Sequence, residues 1–244
     1  MLQQQNDIIR QLEKFILPLQ GYKAQAGNAL RIGLGEVEEA FPNGIFPSGA
    51  IHECINESPS DAAAASGFMA GIIAKLAKQN SACVWISTAR KIYPPALQPF
   101  GIMPHRVIFC DVQTNKDALW LMEEALKCEG LAAVIGEIPV IDFKSSRRLQ
   151  LAVEKSRVTG FILRNNPKQL NTISAVARWK ISPLPSLHDA PGVGFARWRV
   201  ELLKVRNGRP GAWDIEWNGG LFHIIQPQKQ TIWLNALSQY GSAI

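Results

Sequence analysis

The chain has 244 residues, of which 47% are hydrophobic and 19% charged, a balance that supports one sizeable core and excludes global disorder. It contains no run of eighteen apolar residues, and its polar N-terminus, MLQQQNDIIRQLEKF, does not fit a secretory signal. The net charge of +6 is uneven, because residues 143–210 carry a local balance of +11 that leaves −5 for the remainder. This basic region indicates contact with nucleic acid or with an acidic protein face, and a solvated surface is the alternative.

The first twenty residues predict an amphipathic helix that ends at Gly21. Its apolar positions recur at helical spacing: Ile8, Ile9, Leu12, Phe15, Ile16 and Leu19. Residues 22–48 are mixed and loop-like, so we expect an N-terminal helix and linker over 1–48 before a main domain at 49–244. The helix packs on its own domain, or it docks on another protein and supports self-association.

From Gly49 onward, short apolar strands alternate with helices. The pattern predicts strands at 51–55, 82–86, 107–110, 131–135 and 158–163, and helices at 62–78, after Thr114, and at 146–157. Such strands indicate a parallel sheet covered on both faces, with ligands at the carboxyl ends of the strands. Residues 175–182, 195–206, 212–217 and 221–225 predict antiparallel strands at the C-terminal end.

Residues 49–78 have the layout of a phosphate-binding P-loop without its phosphate chemistry. A working P-loop needs glycines, a Lys for the phosphate oxygens and a hydroxyl for Mg²⁺. Here the predicted loop runs from Asn56 to Asp61 and is followed by Ala62 and Ala63, with Ala62 at the Lys position. Glu57 and Asp61 would repel a phosphate. An ordinary connection between a strand and a helix is the alternative.

The other residues with catalytic potential do not form a complete site. Glu137 ends the strand LAAVIGE, where a nucleotide hydrolase would hold its Mg²⁺-coordinating acid, but a strand-end acid facing water is favoured. No acid follows the strand ACVWI. The histidines do not have the spacing of metal ligands. The four separated cysteines predict reduced thiols, and therefore a protein of the cytoplasm, where it could associate with the nucleoid. We therefore expect no catalytic residue, metal or cofactor.

Two basic segments are candidate contacts for DNA or for a protein partner. One is the predicted helix SSRRLQLAVEKSR and the other is the end of the strand ELLKVRNGRP. The candidate residues are Arg147, Arg148, Lys155, Arg157, Lys204, Arg206 and Arg209. A solvated helix face is the alternative for the first segment.

Taken together, these elements resemble the RecA-like core over most of residues 1–225. GAIHECI is similar to the strand that opens the RecA P-loop, and LWLMEEALKCEGLAAVIGE to the helix and Walker B strand. Ala89 stands where the resemblance implies a catalytic glutamate. ELLKVRNGRP resembles the closing RecA strand, so Lys204 and Arg206 would correspond to a basic pair that reaches a neighbouring subunit's nucleotide.

A closer resemblance is to the ImuA family of RecA-related bacterial proteins. It rests on FPSGAIHE, SRRLQLAVEKS, ARWKISPLPS and ARWRVELLKVRNGRPGAWDIEW, of which the C-terminal pattern is the most specific. The resemblance implies an accessory factor in damage-induced mutagenic translesion synthesis. The implied partners are an ImuB-type polymerase-like protein and an error-prone replicative-type polymerase, with RecA and DNA as further candidates.

The expected fold is therefore an α/β RecA-like domain with a mainly parallel sheet, antiparallel strands at the C-terminal end and a degenerate P-loop. The expected function is that of a non-catalytic adaptor. Two alternatives stay open: a DNA-stimulated ATPase with unusual phosphate contacts, and a SulA-like inhibitor of a tubulin-like division protein.

Overall fold

The computed structural model describes residues 31–77, 81–186 and 194–226. The helix predicted at 1–20 lies outside these residues. The helices are α1 Glu36–Glu39, α2 Pro59–Leu76, α3 Asn115–Leu126 and α4 Phe143–Ser156, with 3-10 turns at Pro42–Gly44, Pro94–Phe100 and Pro104–Arg106. The strands are β1 Ile51–Asn56, β2 Ala82–Ser87, β3 Val107–Asp111, β4 Leu131–Glu137, β5 Thr159–Asn165, β6 Ala177–Leu184, β7 Ala196–Val205, β8 Gly211–Asn218 and β9 Leu221–Ile224.

The nine strands form one sheet in the order β3-β2-β4-β5-β1-β6-β7-β8-β9. The first six strands in this order are parallel, and β7, β8 and β9 follow in antiparallel pairs. The expected α/β architecture, with a mainly parallel sheet and antiparallel C-terminal strands, is confirmed. The carboxyl ends of the parallel strands lie along one side of the sheet, which we call the carboxyl edge. Their amino ends lie along the opposite side, which we call the amino edge.

One face of the sheet is covered by α2 and by a cluster of aromatic side chains. Trp179 and Trp198 of the sheet pack around Phe68 of the helix, with ring centroids 5.9 and 5.6 Å away. A Cβ at Gly71 would lie 2.7 Å from the Phe222 ring, so this turn of α2 needs glycine to approach the sheet. The cluster accounts for an aromatic side chain in each of β6 to β9, since Trp179, Trp198, Trp217 and Phe222 all take part in it.

The other face is covered by α3 and α4, which pack on the parallel strands through Met122, Leu126, Leu149 and Val153. Thr114 caps α3 as predicted, because its hydroxyl accepts a hydrogen bond from the amide of Asp117 at 3.1 Å. Within the ranges 31–77, 81–186 and 194–226, no helix is long and apolar enough to cross a membrane.

Three sequence predictions differ from the structure. The region predicted as the first antiparallel strand, 175–182, forms β6, which is parallel to β1 on one side and antiparallel to β7 on the other. The helices predicted at 62–78 and 146–157 begin three residues earlier, at Pro59 and Phe143, and they end at Leu76 and Ser156. Alternation of side chains fixes the faces of a strand but does not identify its neighbours, which explains the first difference.

The described part of the predicted linker packs on the domain. Ile32, Leu34, Val37, Phe41 and Phe46 are all buried in the core on the α2 side of the sheet. The backbone amide of Arg209 also donates to the carbonyl of Ala40 at 2.8 Å. Residues 31–48 are therefore held by the main domain, while the division at residue 48 stays a prediction.

Candidate functional site

At the carboxyl edge, the connection from β1 to α2 is very short. Asn56 is still part of the strand and Pro59 is the first residue of the helix, so only Glu57 and Ser58 connect them. Ala62 and Ala63, placed after the loop by the sequence prediction, lie in the first turns of α2. The segment predicted as a six-residue loop is thus mostly strand and helix.

The N-terminus of α2 is occupied by its own side chains. The Ser58 hydroxyl accepts a hydrogen bond from the Asp61 amide, the Asp61 carboxylate accepts one from the Ser58 amide, and each distance is 3.1 Å. This arrangement is a capping box, and Pro59 has no amide to offer. A carboxylate of the chain therefore stands at the helix end that a P-loop offers to phosphate.

The neighbouring polar residues are also paired within the chain. The Glu57 carboxylate forms an ion pair with Lys180 on β6, with 2.6 Å between oxygen and nitrogen. The buried Asn56 donates its side-chain amide to Asn165 of β5 at 2.8 Å. The end of β1 is consequently tied to the strands on both of its sides.

Glu137 is buried rather than facing water, which corrects the favoured sequence interpretation. Its carboxylate accepts a hydrogen bond from the indole of Trp85 at 2.9 Å and another from the hydroxyl of Ser87 at 3.0 Å. Ser87 in turn accepts from the amides of Ala89 and Arg90. Both carboxylate oxygens are therefore used to fix the loop after β2.

Sequence reasoning missed a buried ionic network beneath this edge. Glu53 on β1 pairs with Arg164 at 2.9 Å and with Arg178 at 2.5 Å, and the Glu53 and Arg164 side chains are at most 3% exposed. Asn171 accepts a further hydrogen bond from Arg164. The only signal in the sequence was a charged residue within each of two apolar strands, since the partners are 111 positions apart.

His52 lies between the two edges on the aromatic face and is held neutral by its surroundings. Trp179 donates its indole N–H to Nδ1 at 3.2 Å, so Nε2 carries the proton and donates to the carbonyl of Pro47 at 2.9 Å. Burial lowers the pKa of His52 from 6.5 to about 4, although the Pro47 hydrogen bond acts in the opposite direction. These contacts give His52 a structural role.

The cysteines show no sign of a reactive or metal-binding site. All four are free thiols, and Cys54 and Cys83 are buried. Burial raises the pKa of Cys83 to about 11 and raises the pKa of Cys54 as well. In the part of the chain that the structure describes, no group of three His, Cys, Asp or Glu residues could hold a metal ion.

On α4, two of the predicted contact residues are paired with acids. Arg147 lies 3.6 Å from the carboxylate of Glu154, and Arg148 lies 2.6 Å from that of Glu123 on α3. Each arginine is about half exposed, so both guanidinium groups still reach the surface. Their net positive field is nevertheless reduced by the neighbouring carboxylates.

The structure brings the other five predicted cations to the amino edge. Lys155 and Arg157 end α4 just before β5, and Lys204, Arg206 and Arg209 lie at the turn from β7 to β8. All five are exposed, and their side chains form no ion pair with any residue of 31–77, 81–186 or 194–226. We call this set the amino-edge cations.

Backbone hydrogen bonds connect the two halves of this set across neighbouring strands. Gly160 donates to Ala50, Val176 to Ile51, and Arg206 to Val176, with distances of 3.0, 2.8 and 2.7 Å. The path crosses from β5 through β1 and β6 to β7, which is three strand spacings or about 14 Å. Segments 50 residues apart in sequence therefore form one positively charged edge.

Two kinds of similarity to known proteins bear on this chain: a similar structure at low sequence identity supports the fold, and relatives at higher identity support a family. No family model matches the chain. A KaiC-like protein from Pyrococcus horikoshii OT3 has a similar structure, with a TM-score of 0.55 and 13% identity over 82% of this chain and 99% of that protein. The cell division inhibitor SulA of Photorhabdus laumondii is 27% identical over 105 residues, which cover 43% of this chain and 59% of SulA.

A longer match links the chain to ImuA proteins. Protein ImuA from two strains of Caulobacter vibrioides is 32% identical over 201 residues, which cover 77% of this chain and 82% of the relative. The match agrees with the resemblance carried by the sequence patterns around β1, α4 and β6 to β8. On this similarity, the chain belongs to the ImuA family.

Proposed function

We propose that this chain is a non-catalytic adaptor in damage-induced, error-prone translesion DNA synthesis. Its family membership supports a role in mutagenesis. The observation that carries the adaptor role is the occupation of the helix end after β1 by the chain's own Asp61 carboxylate. A phosphate would have to displace this carboxylate and break the capping box before it could bind.

Three further features support a role without nucleotide hydrolysis. The helix position that a P-loop Lys would occupy is filled by Ala62. Each carboxylate oxygen of Glu137 already accepts a hydrogen bond, one from Trp85 and one from Ser87. Ala89 follows β2 where a catalytic acid is implied by the RecA resemblance. Each missing part would by itself lower catalysis, because positioning and charge stabilisation carry phosphoryl transfer.

The amino-edge cations provide the contact surface of the adaptor. These five exposed Lys and Arg side chains form no ion pair within the described part of the chain, so their surface attracts DNA phosphates or an acidic protein face. The partners we propose are an ImuB-type polymerase-like protein and an error-prone replicative-type polymerase, with RecA and DNA as further contacts. Arg147 and Arg148 would contribute less, because Glu154 and Glu123 compensate their charge.

The first experiment is an affinity purification of the tagged chain from DNA-damaged cells, with and without nuclease. We expect a polymerase-like protein to be recovered in both samples. Recovery only without nuclease would make DNA the bridge, and recovery of neither polymerase would contradict the adaptor role. The proteins are identified by mass spectrometry.

Two charge-reversal variants divide the basic surface into its parts. We expect Arg206→Glu with Arg209→Glu to weaken binding to partner or DNA at least tenfold at matched salt, since phosphate contacts depend on free cations. Arg147→Glu with Arg148→Glu should also weaken binding, but less. Equal binding by wild type and both variants would remove the basic surface from the proposal.

Titration calorimetry with Mg-ATP tests the absence of catalysis. We expect no binding heat and no hydrolysis with or without single-stranded DNA. Binding that is lost when Glu137→Gln is introduced would instead support the unusual ATPase. Glu137→Gln keeps the shape of the side chain, so folding can be verified by circular dichroism.

A second candidate function is inhibition of a tubulin-like division protein. The 27% identity to the cell division inhibitor SulA favours it, although the match covers only 43% of the chain. Overexpression of the chain in the absence of DNA damage separates the two functions. Filamentous cells would favour inhibition, and normal division would favour the adaptor.

A further inference from the structure

Three large apolar side chains are exposed at the carboxyl edge, at and beside the N-terminus of α4. Val140 lies in the connection between β4 and α4, Phe143 is the first residue of α4, and Leu170 follows β5. Their exposed fractions are 69%, 57% and 52%. We call Val140, Phe143 and Leu170 the apolar patch. Single exposed apolar residues are common, but a group on adjoining backbone indicates a contact surface.

Side chains beneath the patch join its two loops. The guanidinium of Arg164 donates to the carbonyls of Pro139 and Gln169 at 3.3 and 2.9 Å. The amide of Asn171 donates to the carbonyl of Ile141 at 2.7 Å. The residues that flank Val140 and Leu170 are therefore held side by side, and Arg164 itself is fixed by its buried pair with Glu53.

Further hydrogen bonds attach the patch to both helices of this face. Ser146 donates its hydroxyl to the carbonyl of Phe143 at 2.8 Å and accepts from the amide of Ser174 at 3.0 Å. Asn115, the first residue of α3, donates to the carbonyl of Val140 at 2.8 Å. The patch is thus preorganised, so binding there would cost little ordering of the backbone.

The charges around the patch are mainly positive. Lys116, Lys144 and Lys168 are exposed, and none forms an ion pair within the described ranges. The two acids on the same turns are engaged at helix N-termini, since the Asp117 carboxylate accepts from the hydroxyl of Thr114, the cap of α3, and Asp142, the cap of α4, accepts from the amide of Ser145. A ligand with apolar groups and negative charges would complement this surface.

We propose that the apolar patch and its three lysines bind a short acidic peptide segment of a partner protein through bulky apolar side chains. Two of the three patch residues are aliphatic and offer a nucleic-acid base no aromatic ring to stack on, which favours a peptide over single-stranded DNA. The proposal goes beyond the adaptor role and does not depend on it, because the amino-edge cations lie at the opposite end of the parallel strands.

The test is a selection from a phage-displayed library of random twelve-residue peptides on the wild-type chain. We expect the selected peptides to combine Phe, Trp or Leu with several Asp or Glu residues. In fluorescence anisotropy, Phe143→Ser with Leu170→Ser should weaken their binding at least tenfold, because apolar contacts at the centre of an interface carry most of its affinity. Lys144→Glu with Lys168→Glu should also weaken it, more at low salt than at high salt.

A matched control distinguishes the patch from exposed apolar surface in general. Leu203→Ser with Leu221→Ser removes two side chains that are 44% and 51% exposed on the antiparallel strands, and it should leave binding unchanged. Selection of no acidic apolar peptide, or equal binding by the patch variant, would overturn the proposal. So would preferential binding of oligothymidylate or of anionic phosphatidylglycerol vesicles that is lost in the patch variant.

Discussion

The predicted site residues at the two edges of the parallel sheet are paired in opposite ways. At the carboxyl edge, the carboxylates of Glu57, Asp61 and Glu137 are each bound by another residue of the chain. At the amino edge, the five amino-edge cations are exposed and form no ion pair with the described residues. Position on a fold therefore does not by itself decide function, because these acids, at the edge that holds ligands in most parallel sheets, are bound within the chain.

The largest effect on stability is expected from the removal of a buried charge near the carboxyl edge. Arg164→Met leaves Glu53 with Arg178 as its one remaining cation, so we expect the free energy of unfolding to fall by about 3–5 kcal/mol. Urea denaturation measures the change. The exposed pair of Arg199 and Asp214 is the control, and Arg199→Met should cost about 1 kcal/mol or less. Equal effects would show that the network has no special structural role.

The second test concerns the interior between the edges, where His52 is buried. Its pKa is lower in the folded chain than in the unfolded chain, so the unfolded state takes up the proton first as the pH falls. The stability that neutral His52 provides is complete above pH 6.5 and is lost towards pH 4, by about 3 kcal/mol. We expect His52→Gln to flatten this pH dependence in urea titrations. The same slope in wild type and variant would contradict the assignment.

The third test removes the carboxylate that fixes the loop after β2. Glu137→Ala leaves the indole of Trp85 and the hydroxyl of Ser87 without their acceptor, which should lower stability by about 2 kcal/mol. Glu137→Gln keeps one acceptor oxygen and should cost less. Thermal unfolding followed by circular dichroism ranks the two variants. A neutral effect of Glu137→Ala would mean that this acid is free for another role.

The smallest effect on stability is expected at the amino edge. Arg206→Ser with Arg209→Ser removes two exposed charges that form no ion pair with residues 31–77, 81–186 or 194–226, so the free energy of unfolding should change by about 0.5 kcal/mol or less. The same variant should bind DNA or its protein partner more weakly. A large loss of stability would show that these side chains support the fold, and the contrast between the two edges would fail.

The centre of the sheet could be predicted well because β1, β2, β4 and β5 are short, mostly apolar runs buried on both faces. The predicted strands at 51–55 and 131–135 agree with β1 and β4 within two residues. The start of α2 was also present in the sequence, because Ser58, Pro59 and Asp61 form the pattern of a capping box. The similarity to a P-loop layout instead predicts a loop over these residues.

Other contacts could not be predicted because they join distant parts of the chain. Arg147 and Glu154 are seven residues apart on one helix face, a spacing that the sequence displays. Arg148 instead pairs with Glu123 on another helix, which only the packing of α3 against α4 reveals. Likewise, Lys155 and Arg157 lie at the same edge as the β7–β8 turn only because of the order of strands in the sheet.

The turn between β7 and β8 is coupled to the segment that leads into the domain. A Cβ at Gly208 would collide with the carbonyl oxygen of Ala40, and the Arg209 amide donates to that same oxygen. Because the turn and residue 40 share this contact, the segment 31–48 supports the turn that carries Arg206 and Arg209.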